Sequence, residues 1–231
     1  MKDSGIPQGR HGNIIMKCGC IFLHEKRRPM EKLTGYLAII IFGLALLGGC
    51  AIGKGNYILS KAKSEGFDVF AEAKDRGGIP KGYSNLVIKA TIKTHLQGYY
   101  RLESKDIPHG TPTYPFLVNI SGQAVKWEAE GKEESIPKYT PEGKINPDPD
   151  AGEGMKYILE KRVIVKAGPH EVFFGLPGED YYKEFDVSLN EGESYFLEFK
   201  PVYNDKARFT RIPTFLKGVK EYDVFLNGKE I

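Results

Sequence analysis

Thiols, imidazoles and clustered carboxylates are the groups of this chain best suited to chemistry, and most are spaced against it. The 231 residues include three cysteines. Cys18-Gly19-Cys20 has the close spacing of a metal or redox pair, whereas Cys50 stands alone directly behind Gly48-Gly49. Beyond Cys50 there are three histidines, His95, His109 and His170, 14 and 61 residues apart, and nothing local joins them into a metal or catalytic set. Asp148, Asp150 and Glu153 make an oxygen-rich segment of the kind calcium takes. It lacks the glycine and terminal glutamate of a calcium-binding hand, and Pro147 and Pro149 stiffen it. Tyr99-Tyr100, Trp127 and Tyr181-Tyr182 could stack on a sugar or a peptide, although aromatic residues in strands usually pack in cores or cross-strand pairs. No Gly-x-Ser-x-Gly elbow, phosphate-binding glycine loop, zinc-protease helix or haem-attachment motif occurs. No catalytic residue, no metal ligand and no cofactor is therefore expected, and Cys50 is the one site residue singled out.

The elements around Cys50 explain it. Met30-Glu31-Lys32 supplies a short polar start, and Leu33 to Gly49 runs 17 positions without a charge. Polar start, apolar run and small residues form the layout of a secretory signal peptide. Leu47-Gly48-Gly49-Cys50 resembles the lipobox of bacterial lipoproteins. The resemblance implies diacylglyceryl transfer to the Cys50 thiol, cleavage between Gly49 and Cys50, and acylation of the new amino group. The alternative is an uncleaved membrane helix, but 17 residues rise only about 26 Å against a hydrocarbon core of about 30 Å. Residues 1–29 read as an over-extended gene start, with Met30 the favoured initiator and Met16 an intermediate choice; Cys18 and Cys20 would then not belong to the mature protein. With Ala51 after the cysteine, similarity to Gram-negative sorting implies the outer membrane, facing the periplasm or the exterior.

Charge is uneven along the chain. Of 33 basic and 30 acidic residues, the first 49 positions hold 7 and 3, leaving 26 and 27 for the exported part. A net charge near zero without a basic run argues against nucleic acid as a partner. Residues 50–82 read as a lipidated cysteine followed by a flexible tether, with a short helix over 58–73 interrupted at Gly66. From residue 83 the apolar period becomes two. Strands are expected at 86–95, 114–120, 123–130, 155–166, 170–174, 181–189, 194–199 and 222–226. Ser121-Gly122 and Asn227-Gly228 read as hairpin turns. Residues 131–154 read as a long loop rich in proline and acid. Eight short strands with little helix predict an all-β domain over 83–231, a β-sandwich.

Gly168-Pro169-His170-Glu171-Val172-Phe173-Phe174, then Leu176-Pro177-Gly178, Asp186-Val187-Ser188-Leu189, Glu191-Gly192-Glu193 and Tyr195-Phe196-Leu197-Glu198-Phe199 follow one another in an order similar to the second half of PEGA-type domains. They also resemble transthyretin-like and Ig-like modules generally. The Pro-Glu-Gly-Ala segment of the first family is missing. The resemblance implies a small envelope module that binds or spaces other components. The function expected is thus a lipid-anchored, non-catalytic interaction or structural module, whose partner is another envelope protein or a glycan. A glycan- or peptide-binding lipoprotein using the aromatic positions is the rival, and an envelope hydrolase is the least favoured reading.

Overall fold

A strand that buries one face needs an apolar side chain at every second position. Leu86, Ile88, Ala90 and Ile92 meet that need and are fully enclosed. The computed structural model describes residues 53–73, 77–205 and 212–231, and over these the chain is all-β with one short α-helix. The signal peptide, the cleavage site Gly49–Cys50, Cys18 and Cys20 lie outside the described residues. Among the described residues no helix is long and apolar enough to cross a membrane.

Helix α1 (Lys54–Lys61) is followed by strands β1 (Phe70–Glu72), β2 (Tyr83–Thr94), β3 (Thr113–Ile120), β4 (Gln123–Ile136), β5 (Gly152–Lys166), β6 (Gly168–Leu176), β7 (Tyr181–Leu189), β8 (Ser194–Tyr203), β9 (Val219–Leu226) and β10 (Lys229–Glu230). The strands form a single curled sheet in the order β10-β9-β8-β2-β5-β4-β3-β6-β7, with β1 added to β5. The β2–β8 pair is parallel and the others are antiparallel. All eight expected strands are present, several of them longer than expected, and β1 and β10 are additional.

The sheet is continuous because β4 serves two neighbours. Its first half, Gln123 to Glu130, pairs with β3; its second half, Gly131 to Ile136, pairs with β5. Gly131 sits at the changeover, where a Cβ would fall 2.7 Å from the Tyr157 ring. The expected loop over 131–154 is therefore corrected: residues 131–136 and 152–154 are ladder, and the connection spans only 137–151. The curl brings β6 and β7 over β8 and β9. Phe174 stacks on Phe199 at 4.0 Å between ring centroids, and Tyr181 lies 5.4 Å from Tyr222. One core of aromatic and β-branched side chains fills the space between.

The segment ahead of β2 departs from expectation. Gly55 and Asn56, read as flexible tether, lie inside α1, and the helix ends at Lys61 rather than spanning 58–73. The chain then crosses the β3–β4 turn, where the amides of Glu65 and Gly66 donate to the Gly122 carbonyl. Asp68 adopts a left-handed conformation (φ 62°), and β1 joins β5. Burial of Ile58 against Leu117 and Phe173, and of Phe70 in the main core, decides this arrangement over a longer helix. The two expected hairpin turns are present: Ser121-Gly122 and Asn227-Gly228 all have positive φ, the requirement of a type I′ turn.

Candidate functional site

Strand β2 ends at Thr94, and an 18-residue connection, 95–112, leads to β3. This loop folds on itself through turns in which the amides of Tyr99, Glu103 and Ile107 donate to the carbonyls of Leu96, Tyr100 and Ser104. Its far end is tied back to β2 and β5: the Gly110 amide donates to Thr94 Oγ1 at 3.0 Å, and the Tyr157 hydroxyl donates to the Thr111 carbonyl at 2.7 Å. Gly110 has φ 67°, and a Cβ there would lie 2.1 Å from the Gln97 amide nitrogen, so only glycine lets the two ends of the loop meet.

That closure brings His95, Glu103 and His109 together. His109 Nδ1 is 2.7 Å from Glu103 Oε1, His95 Nε2 is 3.1 Å from the same oxygen, and the two ring nitrogens are 3.2 Å apart. Glu179, on the turn Pro177–Glu179 between β6 and β7, reaches His109 Nε2 at 2.8 Å. All four side chains are largely withdrawn from solvent. The cluster borders a cavity of about 430 Å³, closed on its other side by Phe215 and Leu216 and walled by Tyr100, whose hydroxyl donates to the Leu216 carbonyl. Tyr99 stacks on His95, and Tyr100 meets it edge-on.

The protons of the site can be placed from its acceptors. His95 Nδ1 faces the Leu96 carbonyl at 3.0 Å, and a carbonyl only accepts, so this nitrogen donates. His109 Nε2 faces the Glu179 carboxylate and likewise donates. The remaining nitrogens, His95 Nε2 and His109 Nδ1, point at each other and at Glu103 Oε1. Burial disfavours the charged form of His109, but hydrogen bonds and attraction from Glu179 and Glu103 outweigh that, and its pKa lies above the ordinary imidazole value. The cluster thus converges two imidazole nitrogens on one carboxylate oxygen.

The spacing of 14 residues between His95 and His109 is no obstacle to their meeting, against the sequence expectation, because the loop doubles back. His170 does stay apart. Its Nε2 donates to the Lys166 carbonyl at 2.6 Å and its Nδ1 accepts from the Ser121 hydroxyl at 3.0 Å, tying the β3–β4 turn to the β5–β6 connection. Glu103 and Glu179 were not singled out in the sequence. The usable signal was His95 and Glu103 flanking two tyrosines within one loop.

Other positions are placed as follows. Trp127 lies in the core, with its indole N–H donating to Glu72, so it offers no stacking surface. Tyr181 packs against the core, and Tyr182 stacks on Phe173 beneath α1. Only Tyr99 and Tyr100 of the aromatic set remain exposed, at 55% and 42%. In the acidic loop Asp148 Oδ1 accepts from the Asp150 amide, and Asp150 pairs with Lys156 at 2.9 Å. Among the described residues, the group of three or more potential ligands that converges is His95, Glu103 and His109. Compared with family models, with curated proteins and with solved structures, the chain matches none.

Proposed function

We propose that this chain is a lipid-anchored protein of the bacterial cell envelope whose β-rich domain acts as a non-catalytic interaction or structural module. The observation that carries the reading is Leu47-Gly48-Gly49-Cys50 at the end of an uncharged run, with no other cysteine downstream. A lone thiol in an oxidising compartment calls for a fate other than a disulfide, and acylation provides one. Two or three acyl chains, each methylene contributing about 0.8 kcal/mol, hold far more firmly than one. The all-β fold and the resemblance of β6, β7 and β8 to PEGA-type modules support a spacing or docking role.

Metabolic labelling with a fatty-acid probe tests the anchor. Wild-type chain is expected to take up label and fractionate with the outer membrane, and Cys50→Ala is expected to remain an unlabelled precursor. Labelling that persists in Cys50→Ala would end the reading. A second reading, recognition of a glycan or peptide, is favoured by the exposure of Tyr99 and Tyr100 beside the cavity. It requires Tyr100→Ala to abolish an affinity measured on a glycan or peptide array.

A further inference from the structure

We propose that His95, Glu103 and His109 bind one divalent transition-metal ion of the zinc class, through His95 Nε2, His109 Nδ1 and a carboxylate oxygen of Glu103. This goes beyond the anchored-module reading and does not depend on lipidation.

Three observations carry it. The three donor atoms form a triangle with sides of 2.7, 3.1 and 3.2 Å. Its circumradius is about 1.7 Å, so an ion about 2.0–2.1 Å from each donor, the zinc–nitrogen and zinc–oxygen bond length, sits only about 1 Å off their plane. The donors thus lie within reach of one common ion. Secondly, each imidazole is already oriented by an acceptor on its other nitrogen, the Leu96 carbonyl for His95 and the Glu179 carboxylate for His109. Such partners fix the tautomer and strengthen the ligand in metal–histidine sites. Thirdly, the cluster borders the 430 Å³ cavity, which gives the ion an entry path and room for a water or an incoming donor to complete its coordination.

The ligand set selects the metal. Two imidazoles and one carboxylate suit zinc and its first-row neighbours, whereas calcium and magnesium take oxygen. All three ligands come from one stretch, 95–109, so the ion would add a cross-link to a loop already closed by turns, by Gly110 and by hydrogen bonds to Thr94 and Tyr157.

Titration calorimetry tests the site. The full chain in detergent, stripped of metal, is titrated with Zn²⁺ at neutral pH beside the His95→Asn/His109→Asn double variant. Because the cysteine thiols upstream also take zinc, the difference between the two chains is the quantity read. The double variant is expected to bind one equivalent fewer. Co²⁺ is expected to give the wild type d–d absorption that the variant lacks. Glu103→Gln keeps the side-chain shape, and it decides the matter should the double variant fail to fold. It is expected to weaken that equivalent at least tenfold, with unchanged far-UV circular dichroism. Glu179→Gln, which alters the partner of His109 Nε2 and none of the three ligands, is expected to keep the stoichiometry and lower affinity about 10–100-fold. Equal stoichiometry and affinity in wild type and double variant would overturn the proposal, as would Glu103→Gln binding like wild type.

Discussion

Trp127 is the one tryptophan of the chain, and it is built into the core rather than offered to a ligand. Its ring lies 6.4 Å from that of Phe70, and its N–H reaches Glu72, so it holds β1 from both ends of the indole. Trp127→Ala is expected to cost about 3–5 kcal/mol of stability, read by chemical denaturation, with no specific effect on any ligand. Along β4 the period of two puts Trp127 on one face with Val125 and Ala129, and that face is the packed one. The His95–Glu103–His109 cluster was less legible. Residues in a doubled-back loop have no period, so spacing along the chain says nothing of distance in space. Its closure rests on Gly110 and on hydrogen bonds to Thr94 and Tyr157, which belong to strands rather than to the loop.

The elements were legible where one face is buried and the other wet. Strands β2, β5, β7, β8 and β9 carry that alternation over most of their length, whereas β3 and β6 read as apolar runs because α1 covers Leu117 and Phe173 on their outer face. The second half of β4 shows neither pattern. Gly131 to Ile136 is half-exposed or exposed along its length, so its pairing with β5 rests on the backbone ladder, and Lys132, Glu133 and Glu134 are charged. Helix α1 illustrates the opposite error, since Gly53 before it and Gly55 within it suggested slack but Ile58 anchors it. Lys61 fastens the same helix, pairing with Glu184 at 2.9 Å and Glu171 at 3.1 Å, while the Tyr57 hydroxyl donates to Glu184 at 2.8 Å. Burial raises the Glu184 carboxyl, but hydrogen bonds from Lys61 and Tyr57 outweigh it and hold the pKa below the usual carboxylate range. The folded value is thus depressed. The contribution is fully present above the unfolded value of about 4.3 and is lost as pH falls through the lower folded value. Amide hydrogen exchange should show protection of α1 dropping in that acid range. In Glu184→Gln the pH-dependent part of the loss should vanish.

At the scale of the molecule, the sheet has no seam. A sandwich of two separate sheets could part between its layers, but here β4 belongs to both halves, and the stacked pair Phe174–Phe199 closes the curl across one core. Unfolding is therefore expected as a single transition, with tryptophan fluorescence and far-UV circular dichroism giving the same midpoint. Two separated midpoints would show that the halves melt independently.

The position of α1 also sets how the domain can explore its surroundings. Four peptide steps separate Cys50 from Lys54, a reach of at most about 14 Å, and the helix that begins at Lys54 is fastened to the sheet through Ile58 and Lys61. On the lipid-anchored reading the domain has a leash rather than a stalk. Its neighbours are then those that share the same membrane or graze its surface, and encounter becomes a lateral search within a thin layer.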